Sequence, residues 1–93
     1  MSKPTKITYR VISFGETEHG FYNCPLFISN KQGAYNEYQN LIANPEVDGA
    51  VLIEVQHETW RVMEEFGTEN MSVIYGPLGN FRVAKAPKLV MVA

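Results

Sequence analysis

Ser29 to Ala43, S-N-K-Q-G-A-Y-N-E-Y-Q-N-L-I-A, is the one segment of this chain whose apolar spacing reads as an amphipathic helix. Ala34, Tyr35, Tyr38, Leu41 and Ile42 recur at intervals of three and four and fall on one stripe. Ser29 followed by Gln32 matches a capping box, in which each side chain satisfies a backbone N–H at the helix start. Asn44-Pro45 ends the segment, because a residue before proline is pushed out of the helical region.

On either side the pattern is that of strands and turns. Lys6 to Phe14 alternates Ile7, Tyr9 and Val11 with Thr8 and Arg10, then turns apolar on both faces at Ile12 and Phe14. Gly15 to Gly20 is polar and bracketed by glycines, and reads as a loop. Phe21 to Ile28 is rich in strand formers, but Pro25 cannot donate to a ladder, which predicts an irregular strand at a sheet edge.

After the helix, Pro45 to Gly49 is a turn. Ala50 to Gln56 is the strongest strand and is expected at the centre, with Val51, Ile53 and Val55 on one face and Leu52, Glu54 and Gln56 on the other. Trp60 to Phe66 admits two readings. A helix would end at Gly67; the strand is favoured by its Trp-Arg-Val start and would put Trp60, Val62 and Glu64 on one side. Met71 to Tyr75 is a further strand, and Gly76 to Asn80 is a turn. Phe81 to Ala93 is extended and interrupted by Pro87; its apolar ending Leu89-Val90-Met91-Val92 is expected to pair in a sheet of this chain or a neighbouring one.

One helix inserted into a run of strands gives an α+β domain over residues 1–93, an antiparallel sheet of about five strands with the helix on one face. The chain has 93 residues, 45% apolar and 19% charged, the balance of a folded single domain. No apolar run is long enough to span a bilayer, and no apolar segment follows the start Met1 to Lys6, so a cytoplasmic protein without a membrane partner is expected.

Charge is unevenly spread. All ten acids lie between Glu16 and Glu69, where Lys31 and Arg61 are the only bases. Lys3, Lys6 and Arg10 lie near the start and Arg82, Lys85 and Lys88 near the end, so a basic strip would form if these segments lay side by side. Such bases also serve simply to compensate nearby acids.

The chemistry-bearing residues do not assemble into a catalytic pattern. His19 and His57 stand in no metal-ligand spacing and read as loop and turn residues. Cys24 has no cysteine partner for a disulfide or zinc site and reads as a small half-buried side chain. An activated Cys24–His19 pair would need contact that the spacing does not supply. Glu54 reads as a solvent-face residue, or as a polar group in a pocket if that face is covered. No phosphate-cradling loop or dinucleotide fingerprint is present, and no cofactor is expected. An isoelectric point near 5.6 argues against direct nucleic-acid binding. Tyr9 with Arg10 and Phe81 with Arg82 are suited to stacking on a single strand, a reading outweighed by core and cross-strand packing.

The helix's outer face carries Gln32, Asn36, Gln39 and Asn40, neutral amides where charged pairs are usual. Amides cost less to desolvate than charges, so these residues are candidates for protein contact. Glu16, Glu18 and Glu58 are candidates for engaging a basic site on a partner.

The strand-to-helix entry F-I-S-N-K-Q-G-A-Y, the exit N-P-E-V-D-G and the strands V-L-I-E-V and W-R-V resemble small accessory proteins encoded by bacteriophages. The resemblance implies a non-enzymatic protein that binds a larger host or phage protein and modulates a host enzyme or defence complex. Self-assembly through the C-terminal strand, including a homodimer, is the alternative, ahead of a small ligand-binding protein or a Cys-dependent enzyme.

Overall fold

The structure is a computed structural model and describes residues 6–57, 59–76 and 80–85. Its elements are β1 (Ile7–Thr17), β2 (Gly20–Ile28), α1 (Lys31–Ile42), β3 (Gly49–Gln56), β4 (Thr59–Phe66), β5 (Met71–Tyr75) and β6 (Phe81–Lys85). The first four strands form an antiparallel sheet in the order β2-β1-β3-β4, and β5 and β6 form a separate antiparallel hairpin. The α+β class is as expected, with six strands among the described residues divided four and two.

The division follows from the burial pattern of β1. Val11 to Gly15 are all buried, and residues buried on alternate faces require a cover on both. One face packs under α1, where Tyr9, Val11, Ala50 and Leu52 meet Ala34 and Tyr38, with Tyr35, Leu41 and Ile42 at the margin. All five residues of the predicted stripe therefore face the sheet. The other face packs under the hairpin, where Ile12, Phe14, Val51 and Ile53 meet Phe81 and Val83. The molecule is a helix, a sheet and a hairpin in three layers, with β3 next to β1 at the centre as its sequence predicts.

The helix begins one residue later than the capping-box reading. Asn30 is the cap, and its Oδ1 accepts from the Gly33 N–H at 2.8 Å. Gln32 points forward instead of back, its Nε2 donating to Asn36 Oδ1 at 3.0 Å. An asparagine serves as well as a serine at a cap, and here Asn30 rather than Ser29 supplies the oxygen. Ala43 closes the helix just before Asn44-Pro45.

Three further expectations are corrected. Gly15 to Gly20 is not a loop: β1 continues to Thr17 and turns at Glu18-His19, where Thr17 Oγ1 accepts from the His19 N–H at 3.1 Å. β2 does lie at an edge, but Pro25 does not break it, since its pairing with β1 runs in continuous register from Tyr9 opposite Ile28 to Thr17 opposite Gly20. An edge strand tolerates a missing N–H that points to solvent.

Trp60 to Phe66 is a strand, as favoured, yet its alternation is interrupted. Ile53 faces Val62 while Leu52 faces Glu64, so Met63 is an extra residue in β4. This bulge moves Glu64 to the face opposite Trp60 and Val62. His57 takes its place in the β3–β4 turn with a φ of 59°. Pro77 to Gly79 of the expected Gly76–Asn80 turn, the bases Lys3 and Lys88, and the apolar ending from Leu89 to Val92 lie outside the described residues.

Candidate functional site

The registers place Phe27, Arg10, Ile53 and Val62 in one row across β2, β1, β3 and β4 on the hairpin side of the sheet. The next row holds Thr8, Val55 and Trp60. The hairpin crosses this face with Met71 and Lys85 at one end and Tyr75 and Phe81 at the other. Lys85 pairs with Glu16 at the first end, which leaves Tyr75 and Phe81 over the row of Trp60.

There they form an aromatic group. Phe81 is buried, its ring edge-on to Trp60 at 5.2 Å and tilted against Tyr75 at 4.8 Å. Tyr75 also stacks on Trp60 at 6.3 Å. Trp60 remains 37% exposed, Tyr75 49% and Phe27 62%, a large apolar exposure for one side of a small domain.

Arg10 lies at the centre of this surface. Its Cζ sits 4.0 Å from the centroid of the Phe27 ring, within cation–π range. Nη1 donates to Thr8 Oγ1 at 3.2 Å and to the Tyr9 carbonyl at 3.3 Å, and no carboxylate pairs with the guanidinium among the described residues. Burial draws its pKa below the ordinary arginine value, and the nearby Tyr75 hydroxyl acts in the opposite direction. Beside Arg10 is a cleft of about 310 Å³, lined among the described residues by Arg10, Ile12, Pro25, Leu26, Phe27, Asn80 and Phe81.

A larger cleft, about 410 Å³, opens at the β3–β4 turn beside Glu54, Gln56, Thr59, Trp60 and Arg61. The charges of its described residues are matched: Arg61 Nε donates to Glu54 Oε1 at 3.1 Å across the strands. The Glu54 side chain is only 15% exposed, so it is a covered, paired carboxylate rather than a solvent-face residue.

The residues singled out in the sequence fall elsewhere. Gln32, Asn36, Gln39 and Asn40 are all exposed on α1, in the opposite layer of the molecule. Glu16 and Glu18 lie at the β1–β2 turn; Glu16 is held by Lys85, and Glu18 is 3.5 Å from His19. Glu58 lies outside the described residues. Amides and acids are thus not brought into one patch.

Nor do Arg10, Arg82 and Lys85 make a basic strip, although β6 packs across β1. Arg10 faces the hairpin from the sheet and Lys85 is compensated by Glu16. Alternation along β6 turns Arg82 away from buried Phe81 and Val83. Cys24 is exposed, not half-buried. It lies four residues along β2 from the turn that holds His19, a separation of roughly 13 Å at strand rise, so the two do not form a nucleophile and base.

The Arg10 surface draws on partners distant in the sequence. Tyr9, the neighbour considered for Arg10, is buried beneath the helix, and Phe27 takes the stacking position instead. The available signal was Phe27 itself, an aromatic residue in a proline-marked edge strand. Among the described residues no group of His, Cys, Asp and Glu is placed to hold a metal ion, and no helix is long and apolar enough to cross a membrane. No protein-family model matches the chain, no curated protein matches it, and no solved structure matches its fold.

Proposed function

We propose that this chain is a non-enzymatic accessory protein that occupies a surface of a larger protein, with Phe27, Arg10, Tyr75 and Trp60 at the centre of the contact. The carrying observation is an exposed aromatic group around an arginine that has no acidic partner among the described residues. Tryptophan, tyrosine and arginine are the residues that dominate binding energy in protein interfaces, and they do so where neighbouring rings exclude water. The resemblance to bacteriophage accessory proteins supports a cytoplasmic setting and a host enzyme or defence complex as the partner.

The amide face of α1 supports a second contact surface, because Gln32, Asn36, Gln39 and Asn40 all remain exposed. A tagged pull-down from nuclease-treated bacterial lysate tests both. The expected result is one protein captured in stoichiometric amount by the native chain, lost with Phe27→Ser and kept with Gln39→Lys. Loss with Gln39→Lys alone moves the contact to the helix. Equal capture by all three chains removes both surfaces.

A further inference from the structure

We infer that the cleft beside Arg10 receives a carboxylate of the partner protein, carried next to an apolar side chain that packs on Phe27 and Phe81. The inference rests on the protein-binding reading above and specifies the chemistry of the partner. Its basis is an unmatched group in a shaped environment. The Arg10 guanidinium is partly buried, and Nη1 alone is used by Thr8 and Tyr9. Its Nε and remaining Nη2 donors have no acceptor among the described residues. A guanidinium offers two parallel N–H bonds in its plane, the geometry that a carboxylate accepts.

The cleft walls decide what accompanies that carboxylate. Ile12, Pro25, Leu26, Phe27 and Phe81 are apolar, Asn80 adds a polar side chain, and Arg10 is the one charged residue among the described residues lining it. Stacking over Phe27 holds the guanidinium in position before a ligand arrives, which lowers the ordering cost of binding. A nucleic-acid strand fits less well. Phosphodiester binding accumulates affinity over several cations, whereas this cleft presents one among the described residues, on a chain with a net charge of −2.

The test is a titration of the ¹⁵N-labelled full chain, followed through its amide resonances. The probes are N-acetyl-Asp-Phe-amide, N-acetyl-Asn-Phe-amide and inorganic phosphate. The aspartyl peptide is expected to give saturable shifts at Arg10, Phe27, Asn80 and Phe81, with the asparaginyl peptide at least about tenfold weaker, the difference expected of a charge-assisted pair. Arg10→Gln should abolish that difference, and Arg10→Lys should retain part of it. Equal binding of the two peptides, no binding, or shifts confined to another surface overturns the inference. Phosphate saturating the same residues as tightly as the aspartyl peptide marks a general anion site and overturns it too.

Capture from lysate separates the carboxylate from the protein-binding surface. Loss of capture with Arg10→Gln supports the carboxylate where the same variant also abolishes the difference between the aspartyl and asparaginyl peptides, and overturns it where that difference persists. Capture that survives Arg10→Gln but not Phe27→Ser overturns the carboxylate and leaves the protein-binding surface standing. Capture unaffected by either variant removes both.

Discussion

The carboxamide of Asn23 brackets the backbone of Val83: Nδ2 donates to the Val83 carbonyl at 2.8 Å, and Oδ1 accepts from the Val83 N–H at 2.6 Å. One side chain of the edge strand β2 thus takes the place of a neighbouring strand for β6. It ties the hairpin to the sheet and occupies part of an edge that would otherwise be open to pairing. Replacing Asn23 with alanine strands both backbone groups in a half-buried site, and a loss of about 1–3 kcal/mol is expected. Asn23→Asp should lose at least as much, because a carboxylate faces the Val83 carbonyl without a proton to donate. Urea unfolding midpoints measure both, and a change within about 0.5 kcal/mol for each would show that the clamp is not needed.

Two glycines are expected to respond to alanine with opposite signs. A Cβ at Gly49 would overlap the Phe14 ring and the Phe66 carbonyl oxygen, one of them backbone and unable to swing away. Gly49→Ala should therefore destabilise by about 1–3 kcal/mol or more, as overpacking in a closed core does. Gly33 lies within α1, where a Cβ would meet Ile28 Cγ2 at an ordinary 3.5 Å. Gly33→Ala should stabilise by about 0.5–1 kcal/mol, since alanine loses less backbone entropy in a helix. Thermal midpoints moving in the same direction for the two variants would contradict this account.

These sites also show what is legible in the amino-acid sequence alone. The helix stripe, the central place of β3 and the edge place of β2 are each fixed by local periodicity or a single proline, and the structure keeps all three. The double burial around Ile12 and Phe14 was visible as an apolar run, but nothing local states that a hairpin some 60 residues later provides the second cover. Met63 resists reading because a bulge shifts the period by one residue while leaving composition unchanged. The Arg10 surface is harder still: its rings come from β2, β4, β5 and β6, and only the fold gathers them.

Trp60 is the one tryptophan in the chain and reports on that surface directly. Its ring is stacked by Tyr75 and met edge-on by Phe81, contacts that shield it from water. Tyr75→Ala should shift Trp60 emission to longer wavelength and cost about 0.5–1.5 kcal/mol, the range for one aromatic pair. Phe27→Ser, which removes a ring not in contact with Trp60 by any described pair, should leave the emission unchanged. A red shift from both variants would mean that the surface rearranges as a unit rather than ring by ring.

Tyr38 gives the fold a dependence on alkaline pH. Its ring is buried between α1 and the sheet, and burial raises the hydroxyl pKa, with Glu64 and Glu65 adding to the shift by repelling the phenolate. In the unfolded chain a tyrosine loses its proton near pH 10. Above that point the folded state still holds a proton that the unfolded state has released. Stability then falls as pH rises, until the folded hydroxyl also ionises. The contribution is complete below about pH 10 and disappears as the pH passes through the raised value. Tyr38→Phe removes the titrating group while keeping the ring, so its stability should decline less steeply than that of the native chain above pH 10. Glu64→Gln should reduce the slope by a smaller amount, because it removes one of the two repulsions and none of the burial. Chemical denaturation from pH 8 to 11 reads the effect, with the native chain serving as control for the other tyrosines. Superimposable profiles for the native chain and Tyr38→Phe would place the Tyr38 hydroxyl in water rather than beneath the helix.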